Sequence, residues 1–115
     1  MNNITVPDYA IKRAIDMRVS QELGNLDGQK IFPTSHPMSG NSNVLTMTRE
    51  FDGRHYVIPT MVDGKEMDVE AATDLALENG LDNYPSYDDP VIAREISNRI
   101  HDRVNPKGIF TLDKQ

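Results

Sequence analysis

Three histidines, at positions 36, 55 and 101, are the side chains of this 115-residue chain best suited to moving a proton near neutral pH. A general base also needs a positioned partner, and a nucleophile needs a base beside it. His36 lies between Ser35 and Pro37, with no second histidine or regularly spaced acid nearby. His55 and His101 fall on separate predicted elements, and Asp52, Asp63, Asp82 and Asp88 do not repeat at a zinc, calcium or phosphate-loop spacing. The chain has no cysteine, which removes thiol catalysis, thiolate metal sites and disulfides. The expectation is a protein that is not an enzyme, with no catalytic residue, no metal and no cofactor. Arg49, Arg54 and His55, with Tyr56 as a stacking ring, could touch phosphates and bases. Against that reading stand the absence of a basic run and a formal charge of -6, from 12 Lys plus Arg and 18 Asp plus Glu. Nucleic acid is therefore not an expected partner.

The elements that would position these groups centre on residues 44–62. Side chains alternate from Val44 to Phe51, the period of a strand with one covered face. Asp52-Gly53 then supplies two residues that tolerate positive φ, as the central pair of a type I′ hairpin turn requires. The return strand runs from Arg54 to Ile58 and stops at Pro59, which has no N–H to donate. Asp63-Gly64 is a second tight turn, and a short third strand near Val62 would extend the hairpin into a meander.

Three helices are predicted around this sheet. The first covers residues 7–23, with Ile11, Ile15 and Val19 on one stripe and Gly24 as its stop. Asp68 caps a second helix with Ala72, Leu75 and Ala76 inward and Gly80 at its end. Asp89 and Pro90 form an N-cap and N1 pair for a third, whose Ile92, Ile96 and Ile100 recur every four residues. Tyr56 and Ile58 are expected to face that third helix. Residues 25–43 are too rich in Pro, Gly and polar residues for regular structure, and Ile31-Phe32 is their apolar anchor. Tyr84 and Tyr87 flank Pro85 in a connecting segment. Ile109, Phe110 and Leu112 give the C-terminal tail apolar surface.

The fold expected is α+β: a small antiparallel hairpin or meander packed against two helices, with an additional N-terminal helix and an extended linker. The corresponding division is 1–43 as helical arm and linker, 44–104 as the folded module, and 105–115 as tail. Ile11, Ile15, Val19, Ile31, Phe32, Tyr84, Tyr87 and Phe110 are the candidate protein-interaction residues. No stretch is long and apolar enough to cross a bilayer, so no membrane is expected.

Residues 44–102 resemble a short module that recurs in structural and internal virion proteins of tailed bacteriophages. The likeness lies in FDGRHYVIPTMVDG at 51–64, the acidic helix start at Asp68 and Glu70, NYPSY at 83–87, and the Asp89-Pro90 helix. That family has no established catalytic residue in the module, although it is often joined to longer proteins, some with a peptidoglycan-degrading domain. The resemblance implies a structural or assembly component of the connector, tail or interior, with other virion proteins and copies of itself as partners. It implies location in the virion, and in the bacterial cytoplasm before assembly. A small phage protein that binds a host factor or nucleic acid is the alternative, and a hydrolase accessory enzyme is a more distant one.

Overall fold

The computed structural model describes residues 7–36 and 44–112. Its fold is α+β, in the order α1 (Asp8–Leu26), β1 (Thr46–Phe51), β2 (Arg54–Pro59), β3 (Met61–Val62), β4 (Lys65–Glu66), α2 (Val69–Asn79), β5 (Ser86–Tyr87) and α3 (Pro90–Ile100). A 3-10 turn at Leu81–Asn83 precedes β5.

The hairpin forms where the alternation and the Asp-Gly pair place it. Asp52 and Gly53 have φ of 53° and 82°, and Asp63 and Gly64 repeat the pair at 52° and 78°. Register runs from Thr46↔Pro59 to Phe51↔Arg54. The meander does not form. Because Pro59 ends the ladder and Asp63-Gly64 folds the chain straight back, Met61 and Val62 pair only with Glu66 and Lys65, in a sheet of their own. The third strand of the main sheet is instead β5, antiparallel to β2 through His55↔Tyr87 and Tyr56↔Ser86, giving the order β1-β2-β5. Pro85 joins it by accepting from the Val57 N–H at 2.8 Å.

The central strand is covered on both faces, since Val57 and Ile58 point opposite ways and both are fully buried. The Thr46 hydroxyl meets the Ser97 hydroxyl and carbonyl, which sets α3 against the face carrying Thr46 and Val57. Tyr56 and Ile58 therefore lie on the face away from α3, where the sequence had them toward it. Strand register, not hydrophobicity, decides this point, because both faces of β2 are apolar at this end. On α3 itself Ile92, Ala93, Ile96 and Ile100 are buried as their spacing requires, and Asp89 accepts from the Val91 and Ile92 N–H groups. Asp68 caps α2 by accepting from the Ala71 N–H at 2.8 Å. Ala72 and Ala76 have no exposed surface, Leu75 is half-buried, and Gly80 closes the helix with φ of 95°.

The outer segments join the same core. Helix α1 runs through Gly24 to Leu26 rather than stopping at the glycine. An interior glycine costs about 1 kcal/mol relative to alanine, and burial of Leu23 beside it offsets that. The helix meets the body only from Ile15 onward: Val19 and Leu23 are buried, Ile15 and Leu26 pack at the margin, and Ile11 is exposed. Residues 28–31 and 108–110 are tied together through Gly28 N–H to Phe110 O, Phe110 N–H to Gln29 O and Ile31 N–H to Gly108 O, at 2.8–3.0 Å. Phe110 has no exposed surface and Phe32 only 1%. A single hydrophobic cluster thus takes residues from before position 43, from the hairpin module and from beyond position 104.

Candidate functional site

The strap from Lys30 to His36 and the turn from Pro106 to Ile109 form the walls of a cleft of about 430 Å³. Each wall is built locally. The Asn105 side-chain oxygen accepts from the Lys107 and Ile109 N–H groups, so the turn is held open in one shape. On the other wall Phe32 is anchored in the core and the Lys30 ammonium donates to the Thr34 hydroxyl. Lys30 and Ile109 meet as a β-bridge beneath the opening. Phe32, Pro33 and Ile109 give the cleft an apolar lining, with the two lysines contributed from opposite walls.

His36 ends the described part of the strap and is 2% exposed. Its Nε2 is 3.3 Å from the Met61 carbonyl oxygen, which can only accept, so Nε2 carries the proton. In the neutral ring Nδ1 then accepts from the Tyr84 hydroxyl at 3.3 Å, and that hydroxyl accepts from the Asn79 amide at 3.0 Å. Each member has a use for its donor or acceptor, and the chain ties the strap to β3, to the segment before β5 and to the end of α2. Burial pushes the His36 pKa down, against a smaller upward pull from the Met61 carbonyl. It likewise pushes the Tyr84 hydroxyl up. With both ring nitrogens engaged, His36 ties these backbone segments together. Its burial follows from no spacing in the sequence; the partners lie 25 and 48 residues away.

Most residues expected to meet partners are occupied inside the chain. Val19, Ile31, Phe32, Tyr84, Tyr87 and Phe110 are at most 6% exposed, so their apolar surface serves the chain's own core. The reason is the same for all: the N-terminal segment, the Tyr84–Tyr87 connection and the tail close over a module too small to bury its own sheet. Tyr87, facing Glu22 across the α1 contact, has its hydroxyl pKa raised mainly by burial. Of the eight, Ile15 is half-buried and Ile11 is exposed. Tyr9 and Met17, off the Ile11, Ile15 and Val19 stripe, are also exposed on α1, in keeping with the low amphipathicity of that helix. Arg18 of α1 pairs with Asp88 just before α3, fixing where the helix leaves the body, and holds that carboxyl below its usual range.

Two members of the candidate nucleic-acid group, Arg54 and Tyr56, have partners within the chain. Arg54 Nε donates to the Ser86 hydroxyl at 2.9 Å and its Nη2 to the Ser86 carbonyl at 2.7 Å. The Tyr56 ring meets Phe51 edge-on with centroids 6.2 Å apart. His101 Nδ1 lies 2.9 Å from Asp102, its neighbour in sequence. Among the described residues His, Asp and Glu converge in no group of three that could hold a metal ion, and no helix is long and apolar enough to cross a membrane. Comparison of the chain with models of protein families, with curated proteins and with solved structures gave no match.

Proposed function

We propose that this chain is a non-enzymatic assembly component of a tailed-phage virion, joining other virion proteins or further copies of itself. The observation that carries the assembly role is the first half of α1. Tyr9, Ile11 and Met17 are 76%, 47% and 64% exposed on a helix that packs into the core only from Ile15 onward. The turns before Ile15 span about 10 Å of the helix and contain no buried residue. Tyr9 and Met17 lie about 80° apart around the helix, close enough to meet one partner, while Ile11 points to another side. The phage setting is supported by the resemblance of residues 51–64 and 83–90 to the virion module.

Quantitative mass spectrometry of purified particles tests the proposal. The chain should be present at a fixed copy number. Carrying Tyr9→Glu and Met17→Glu together, it should melt at an unchanged temperature yet be lost from particles. Absence of the unmodified chain from particles would overturn the virion reading. Undiminished incorporation of the variant would overturn the role of α1.

A further inference from the structure

A second surface, on the other side of the chain's own N-terminal strap, carries an inference independent of α1. The geometry points to the cleft between Lys30–Thr34 and Lys107–Ile109 as a docking groove for an acidic peptide segment, one that presents a carboxylate next to an apolar side chain.

Charge supports this first. In a chain with 18 acidic and 12 basic side chains, two lysines reach this cleft from opposite walls, and among the described residues no Asp or Glu lines it. The Lys30 ammonium is held by a neutral hydroxyl, that of Thr34, so its charge is not cancelled and two of its three donors are left for a carboxylate. Shape supports it next. Past Thr34 a depression of about 290 Å³ shares Lys30, Phe32, Pro33 and Thr34 with the cleft and reaches Asn83. An elongated groove suits an extended chain better than a small acid. Phe32, Pro33 and Ile109 supply the apolar floor that would take a neighbouring side chain. The two walls are pre-shaped by the Asn105 turn and by the Phe32 anchor, so binding would order little.

The test titrates the full chain with acetylated Leu-Asp-Phe-Glu and with its uncharged counterpart Leu-Asn-Phe-Gln, following backbone amide shifts by NMR. The acidic peptide should move the amides of Lys30, Thr34, Lys107 and Ile109, and the uncharged one should bind about tenfold more weakly or less. Raising the salt to about 1 M should weaken the acidic peptide alone, because the Debye length falls to about 3 Å. Lys30→Gln with Lys107→Gln should abolish the difference between the peptides. Both side chains are exposed, so the fold is expected to persist, and the salt and peptide comparisons on the unmodified chain stand even if it does not. No shift at millimolar acidic peptide, equal binding of the two peptides, or shifts confined to α1 would overturn the proposal. Loss of α1-dependent particle incorporation with intact peptide binding would separate the two surfaces.

Discussion

At the residue scale the most informative side chain is His36. Its neutral ring is the form the Tyr84 and Met61 bonds accommodate, and its pKa in the folded chain is lowered by burial. The unfolded chain, with an ordinary histidine near 6.5, therefore binds more protons than the folded one as pH falls below about 6.5. This contribution to stability is present in full above that value and is lost on acidification toward the lower folded pKa. The groups bonded around the ring, Asn79, Tyr84 and the Met61 carbonyl, bring no negative charge that would favour protonation. Chemical denaturation at pH 7.5 and 5.5 should show a decrease that His36→Gln makes smaller. An unchanged pH dependence in that variant would place the sensitivity elsewhere. Gly53 offers a cleaner backbone case. A methyl group there meets nothing within 4 Å, so the cost of Gly53→Ala comes from its φ of 82° alone and should be about 1–2 kcal/mol. Both turn residues were legible in the sequence because a type I′ turn is a local demand. The histidine was not, because its partners come from three segments brought together only by the complete fold.

At the scale of elements, the caps and the α3 stripe could be read from spacing, and so could the hairpin. Asp89→Ala should cost about 0.5–2 kcal/mol, and Ile96→Ala about 2–5 kcal/mol, in equilibrium unfolding. Strand β5 was hidden for a physical reason. Its two residues lie in a Pro- and Tyr-containing connection with no alternation to reveal them, and their pairing depends on β2 having a free edge. The tail was equally opaque. Ile109 and Phe110 lie in a short run after Pro106 and Gly108 that any sequence reading would leave unstructured, yet Phe110 is bridged to Val104 and fully buried. Phe110→Ala should therefore destabilise the chain by about 3–5 kcal/mol, where a mobile end would give no measurable change. Calorimetry or denaturant titration distinguishes these outcomes.

Over the whole molecule, the consequence is that the arm, the module and the tail share one core. Removing residues 1–43 would strip Val19, Leu23, Ile31, Phe32 and His36 from it, and a truncated chain is expected to lose cooperative unfolding. Deletion is thus the wrong instrument for asking what the N-terminal segment does, and surface substitutions on α1 are the right one. The candidate interaction residues legible in the sequence were chosen for being apolar outside the hairpin. Most close a small core instead, and among the apolar side chains left exposed Tyr9, Ile11 and Met17 are those on α1. The direct measurement is the number of copies per purified particle for the unmodified chain and for the Tyr9→Glu, Met17→Glu variant with matched melting temperature. A fixed copy number that falls to background in the variant is the result predicted; a chain missing from particles, or a variant incorporated as well as the original, would contradict an assembly role exerted through α1.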